Sequence, residues 1–178
     1  KLKRRGVFSK EMILEVQAMV EKGASKEKIG LRGPMPPGML FAVYDAVTGA
    51  PDYIPPEYSD IPSLLEELVN YVNTTDDHPL IIAAVVHYQL VTIHPFEDGN
   101  GRIGRLIMFK ECVRNGVTPF IIDDKRRSQY LAGLAEWGTY RFTLMQVVAD
   151  AQERFERQLK LQSLRELPMS KFRKYGDS

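Results

Sequence analysis

The sequence predicts a mainly α-helical domain carrying a single β-hairpin. Apolar residues recur at helical spacing in several separate stretches. Two short apolar or aromatic runs, Leu40–Tyr44 and Pro51–Ile54, flank a Gly-containing connection, Asp45–Gly49. Residues 79–93 are apolar nearly all round, the pattern of a helix buried at the centre of a domain.

Each element has a local reason. Ser9 suits an N-cap, Met12, Val16, Met19 and Val20 follow at helical spacing, and Gly23 ends the helix. Residues 30–38 are rich in Gly and Pro and form a loop. The hairpin comes next, and Pro55-Pro56 stops its second strand. Leu64, Leu65, Leu68, Val69 and Val72 predict a helix over Ser63–Asn73. Pro79 fits the first turn of the buried helix, with Asp77 or His78 as its cap. Another helix starts near Asn100, runs through Cys112 and ends at Asn115-Gly116. Two more cover about 124–136 and 139–166, separated by Gly138, and Pro168 closes the last. The tail 170–178 is short and polar. The expected organisation is an N-terminal helical segment over 1–29, a core domain over 30–150, and a C-terminal helical extension with tail over 151–178.

Composition narrows the function classes. The chain has 178 residues, 44% hydrophobic and 26% charged, which reads as a globular domain. The formal net charge of +1 argues against nucleic acid or a membrane surface as partner. The run Leu80–Val86 is too short to span a bilayer, and the basic start Lys1–Arg5 is followed by no signal-peptide core. One cysteine, Cys112, allows no internal disulfide and fits a reducing, cytoplasmic compartment.

The chemistry concentrates in twelve residues, His94-Pro-Phe-Glu-Asp-Gly-Asn-Gly-Arg-Ile-Gly-Arg105. Pro95 disfavours helical geometry at His94, so the buried helix should end there. Asn100 suits the N-cap of the next helix, and Gly99 and Gly101 permit close approach of a ligand. A helix start offers free N–H groups and the positive end of a dipole, which together attract an anion. Arg102 and Arg105 share one face of the first turn, and their forked cations match phosphate oxygens. Asp98 is the natural carboxylate for Mg²⁺, which takes one or two carboxylates beside phosphates and water. His94 suits a general base. A helix C-terminus favours imidazolium, however, so burial or a neighbour must hold the ring neutral. Each feature alone is commonplace; their coincidence after a buried helix is not.

This stretch resembles the Fic-family signature, His-x-Phe-x-Asp/Glu-Gly-Asn-Gly-Arg-x-x-Arg, and matches it at every specified place. The resemblance runs from about 30 to 150. Asp45–Pro56 is similar to the family's flap hairpin, and Tyr130-Leu-Ala-Gly-Leu134 to a later helix near the adenosine. It implies a Fic-type helical bundle and a protein adenylyltransferase. ATP would lie with its phosphates over Gly99, Asn100, Gly101 and Arg102, with Arg105 at the terminal phosphate and Tyr130 near the base. Asp98 would hold Mg²⁺, and Phe96 would anchor the loop. His94 would deprotonate a Tyr, Thr or Ser hydroxyl of a target protein docked along the flap at Asp52, Tyr53 and Ile54.

Family members often carry an inhibitory Ser/Thr-x-x-x-Glu-Gly/Asn helix whose Glu pairs with the second motif arginine, here Arg105. Only Ser63-Leu-Leu-Glu-Glu67 has that Glu spacing, but Leu68 follows it and it belongs to the helix after the flap. The inhibitory element therefore lies upstream of Lys1, sits on a separate antitoxin-like protein, or is absent. A homodimer is compatible with the sequence. The alternatives are another phosphoryl-type transfer, removal of AMP, or a non-catalytic nucleotide-binding module. The kinase-like relatives depart from the motif at Asp98 and Gly99–Gly101, where this chain keeps the AMP-transfer form.

Overall fold

The computed structural model describes residues 7–23, 29–44, 48–137 and 139–165. Its packing falls into two units, Lys1–Val117 and Thr118–Ser178. That division differs from the expected boundaries after 29 and 150, the second of which falls inside a continuous helix.

The first unit holds α1 (Lys10–Val20), β1 (Val43–Tyr44), β2 (Pro51–Tyr53), α2 (Ile61–Thr74), α3 (Pro79–Ile93) and α4 (Asn100–Arg114). α1 starts where predicted: the Ser9 side chain accepts from the Met12 amide at 3.3 Å. α3 starts behind His78, whose Nδ1 accepts from the Leu80 amide, with Pro79 in the first turn. β1 and β2 pair antiparallel, Val43 opposite Tyr53 and Tyr44 opposite Pro51, with an irregularity between the pairs. The strands are shorter than the runs that predicted them, and Asp45–Val47 of the connection lie outside the described residues.

The core of this unit lies around α3. Ile82, Val86, Leu90 and Ile93 pack with Ile13 and Val16 of α1, with Leu65, Leu68 and Val72 of α2, and with Ile103 and Ile107 of α4. Full burial of each such side chain contributes about 1.5–3 kcal/mol. α3 has almost no polar face because neighbours cover it on several sides; Ile81 through Val86 are all buried. The α3–α4 contact is close because Gly104 faces His87: a Cβ at 104 would stand 2.9 Å from His87 Cδ2. That approach fixes the start of α4 against the end of α3, where the motif lies.

The second unit holds α5 (Arg127–Ala135) and α6 (Phe142–Arg165), somewhat shorter than the predicted helices. α5 rests on α6 through Gly133, where a Cβ would lie 2.8 Å from the Leu144 amide nitrogen. Gly138, Pro168 and the tail 170–178, each given a role above, lie outside the described residues, as do Lys1–Arg5.

Gly104→Ala should force α3 and α4 apart and cost about 1–3 kcal/mol of stability. Chemical denaturation of the two proteins measures this, and an unchanged midpoint would show that the helices do not depend on close contact there.

Candidate active site

His94 ends α3 in a left-handed conformation, φ 51° and ψ 58°, the one positive-φ non-glycine residue among those described. Left-handed backbone is costly for a residue with a Cβ, on the order of 1–2 kcal/mol, so neighbours must hold it. Arg32 is the main support. Its Nε donates to the His94 carbonyl at 2.8 Å, and its backbone amide donates to the Pro95 carbonyl at 2.8 Å. Its Nη2 donates to the Pro56 carbonyl at the exit of the hairpin. Its guanidinium carbon lies 4.7 Å from the centre of the Phe41 ring, and that ring is 5.6 Å from the His94 imidazole. Arg32 is 5% exposed, so these bonds form away from competing water. It therefore joins the Gly/Pro loop, the hairpin exit and the motif histidine.

The His94 ring is oriented as well. Nδ1 lies 3.3 Å from the Val91 carbonyl, which can only accept, so the contact selects the Nδ1–H tautomer and leaves a lone pair on Nε2. Burial lowers the imidazole pKa below its ordinary 6.5; the Val91 bond raises it, the Arg32 charge lowers it and Asp98 raises it, for a net downward shift. The helix-end preference for imidazolium is thus overcome mainly by burial.

Beyond His94 the loop closes on itself. Phe96 is buried in the core cluster. The Asn100 side chain is also buried, and it grips the Phe96 backbone twice: Oδ1 accepts from the Phe96 amide at 3.0 Å and Nδ2 donates to its carbonyl at 2.8 Å. The Asn100 amide thus fixes the loop, and what this residue offers an anion is its backbone N–H. The N-cap of α4 is Gly99 at φ 78°, one residue earlier than predicted, and Asn100 is the first helical residue. Asp98 Oδ1 accepts from the Gly99 amide at 2.6 Å. The amides of Asn100, Gly101 and Arg102 have no carbonyl one turn back, so they form the anion-attracting end of α4.

The two arginines differ. Arg102 Nη2 lies 2.9 Å from Glu21 Oε1 and 3.6 Å from Asp98 Oδ2. Glu21, at the C-terminal end of α1, is the residue that reading the motif missed. Its side chain is 6% exposed and sits directly over Gly99, where any Cβ would collide with Oε1. A carboxylate of this chain therefore lies on the anion-attracting end of α4. No sequence signal marked it: the inhibitory pattern asks for Ser or Thr four residues before the Glu and Gly or Asn directly after it, and Gln17 and Lys22 stand at those places. Arg105 is exposed and, among the described residues, pairs with no carboxylate.

Asp98 is suited to Mg²⁺ only in company. Its side chain is 61% exposed, and among the described residues no three His, Cys, Asp or Glu side chains gather as a metal cage. A single carboxylate beside bound phosphates fits Mg²⁺, which rarely uses an all-protein cage. On the hairpin, Asp52 lies in β2 with a side chain outside the described residues. The Tyr53 hydroxyl donates to the Thr92 carbonyl at 3.0 Å, which ties the hairpin to α3 beside His94, while Ile54 is exposed. Tyr130 is buried on α5, in the second unit.

A histidine at a left-handed helix end, followed by a glycine-capped helix with two arginines near its start, is the arrangement of a Fic-type helical fold. The Fic/DOC family model matches residues 7–112, and the chain belongs to that family. It is similar to the protein adenylyltransferase Fic of Drosophila mojavensis, 39% identical over 107 residues, and to that of Drosophila melanogaster, 38% identical over the same length. These alignments cover 57% of this chain and about a fifth of each relative (21% and 22%). Among solved structures, a Fic domain containing signaling protein from Bacteroides thetaiotaomicron shares the fold, with a TM-score of 0.67 at 22% identity over 90% of this chain and 63% of that one. A Fic-1 chain from C. elegans aligns with a TM-score of 0.63 at 28% identity over 90% of this chain and 46% of that one.

Two outcomes follow for the site. Activity that needs neutral His94 should hold at its plateau below pH 6.5 and fall only as pH drops through the lowered pKa; Arg32→Gln should move that acid limb upward while the KM for ATP stays constant. A pH series of kcat for both proteins checks this, and an acid limb at or above 6.5 in the parent contradicts it. If the start of α4 receives the phosphates of ATP, as the family resemblance implies, Glu21→Gln should tighten ATP binding about three- to tenfold, the scale of one partly screened charge contact. Calorimetric titration reads it, and weaker binding would mean that Glu21 supports the cradle instead of competing for it.

Proposed function

We propose that this domain transfers AMP from ATP to a Tyr, Thr or Ser hydroxyl of a protein target, with release of pyrophosphate. The observation that carries this reading is the placement of the His94 ring: its Nδ1 lies 3.3 Å from the Val91 carbonyl, which favours the tautomer with a lone pair on Nε2, in the loop that leads into the glycine-capped start of α4. The target hydroxyl gives its proton to His94 Nε2 as its oxygen attacks the α-phosphorus. The bond from the α-phosphorus to the bridging oxygen breaks, and pyrophosphate departs with that electron pair. The amides of Asn100, Gly101 and Arg102 stabilise charge on the phosphate oxygens, and Arg105 takes the terminal phosphate. Arg102 must leave Glu21 to join them. Asp98 would hold Mg²⁺, which supplies charge neutralisation at the phosphates. Positioning and electrostatics thus carry most of the work, as in other phosphoryl-type transfers.

The target would dock along the hairpin by strand addition, which presents a hydroxyl through backbone bonds. Tyr130 is assigned to the adenosine by resemblance. Arg105 pairs with no carboxylate among the described residues, which is compatible with an inhibitory carboxylate delivered in cis or by a separate antitoxin-like protein, and equally with none. No helix among the described residues is long and apolar enough to cross a membrane, and the buried free thiol of Cys112 agrees with the proposed cytoplasmic setting.

Mass spectrometry of a lysate incubated with this protein and Mg-ATP should find AMP on Tyr, Thr or Ser, and on the protein itself. His94→Ala should lower transfer by at least about a hundredfold with ATP affinity unchanged, since a base acts at the chemical step. Addition of phosphate instead of AMP would assign the chain to the kinase-like class, and full activity in His94→Ala would remove His94 as the base.

A further inference from the structure

A cavity of about 110 Å³ opens between the Gly/Pro loop and the exit of the hairpin, walled by Met35, Met39, Leu40, Phe41, Ile54 and Tyr58. We propose that it is a specificity pocket for one branched aliphatic side chain of the target, two residues along an extended segment from the hydroxyl that receives AMP. The proposal rests on the adenylyl-transfer reading above and adds to it what the target must look like.

Four observations support this occupant. First, large apolar side chains cluster at the mouth and stay in water: Met39 is 62% exposed, Leu40 66% and Ile54 57%. Scattered single exposures are ordinary, but a contiguous patch rimmed by polar groups marks a binding surface. Two of the walls are methionines, whose unbranched thioethers adapt to a guest.

Second, the pocket is continuous with the site. Phe41 forms part of its wall, and the same ring lies 5.6 Å from the His94 imidazole. Ile54 directly follows β2, the strand that the Tyr53 hydroxyl ties to the end of α3. A chain added along the hairpin with its hydroxyl at His94 therefore passes the pocket mouth. In an extended segment, alternate side chains share a face and stand roughly 7 Å apart, which matches a base and a pocket separated by one ring.

Third, the size selects. A dry apolar cavity of about 150 Å³ accepts benzene. This pocket is smaller and partly open to solvent, so its apolar side, formed by Met35, Met39, Leu40 and Ile54, suits an isobutyl or isopropyl group better than the full burial of an aromatic ring.

Fourth, the charge selects. The cation at the pocket wall, Arg32, directs its Nε and Nη2 to the carbonyls of His94 and Pro56. The remaining charged wall residue is Glu57, exposed at the rim. An acidic guest would meet Glu57 and lose its water with no cation released to receive it.

The test uses short acetylated peptides with a central Tyr or Thr, in which the positions two before and two after are varied among Ala, Val, Leu, Phe and Asp. Binding is read without chemistry, on the whole chain with ¹³C-methyl methionine, by NMR. Leu peptides should shift the Met35 and Met39 methyl signals and leave Met12, Met19 and Met108 in place; Asp peptides should shift none. With Mg-ATP, AMP should load onto Leu or Val peptides at least about tenfold faster than onto Ala or Asp peptides, because burying such a group gains more than a factor of ten. Met35→Trp, which fills the cavity, should bring that ratio close to one.

Shifts at Met35 and Met39 that are the same for Asp and Leu peptides, or no shifts at all, overturn the pocket. So does a Leu-to-Ala ratio that survives Met35→Trp. If Leu peptides shift these methyls but no AMP appears on peptide, lysate or the chain itself, the adenylyl-transfer reading falls, and with it the pocket as a specificity site for that reaction. Labelling of all peptides at one rate keeps the reaction and removes the pocket.

Discussion

The bond from Arg32 Nε to the His94 carbonyl is the contact on which the site's geometry depends. α3 is buried around most of its circumference, so its direction is set by the core. α4 is set in turn by the contact of Gly104 with His87. Between two fixed helices the chain must reverse within the six residues 94–99, and it does so through a left-handed residue that bears a functional side chain. Without an external bond that conformation would relax toward an ordinary helix end, and the ring would turn away from α4. Arg32 prevents this with a buried, charge-assisted bond, the strong kind of hydrogen bond. The double bond of the Asn100 amide to Phe96 does the same work from the other side of the turn. The polar groups of residues 94–105 are thus divided: the Asn100 amide and the Phe96 backbone hold the loop, while Asp98 and Arg105 stay exposed.

That division bears on the electrostatics. The helix end at Asn100 attracts an anion, and two carboxylates of this chain stand there: Asp98 accepts from the Gly99 amide, and Glu21 lies over Gly99. Arg102 is shared between Glu21, buried on its far side, and Asp98, which faces water. A phosphate arriving over Gly99 would meet the carboxylate of Glu21 before it met an uncommitted guanidinium. Arg105 offers the opposite case, a cation open to the solvent. The first-turn arginines are equivalent by spacing on the helix and inequivalent by partner.

The parts of this picture that sequence could reveal are those fixed within a turn or two of the chain. Ser9, His78 with Pro79, and Gly116 mark helix ends because capping acts on neighbouring amides. Pro95 predicts the end of α3 at His94 for the same local reason. The all-round apolar run of α3 identified the core. What stayed hidden is long-range. Arg32 is 62 residues from His94, and Glu21 is 81 residues from Arg102. Neither residue has a periodicity or spacing that announces its partner. Local chemistry also misled where two roles compete for one side chain: Asn100 suits an N-cap and a phosphate ligand, and the structure spends its amide on Phe96. The packing boundary after Val117 was hidden because it falls between helices of similar composition, whereas α6 runs uninterrupted through the boundary expected at 150.

The loop that holds Arg32 joins two features in one piece of structure: the support of His94 and an exposed apolar surface. Residues 32–41 supply the guanidinium that holds His94, the ring that lies against it, and the methionines that remain in water beside it. A change in this loop therefore acts twice. It alters what can rest at the pocket mouth, and it alters how firmly the imidazole is held. On the proposed adenylyl-transfer reading, substitutions in the motif would act on the chemistry shared by every substrate, whereas substitutions in the loop would redirect the chain toward a different one. The constraint is Arg32, which ties this Gly/Pro segment to the His94 carbonyl. On the same reading, the outer residues, Met35, Met39 and Leu40, are the ones free to change, while the inner pair, Arg32 and Phe41, stays bound to the geometry of His94.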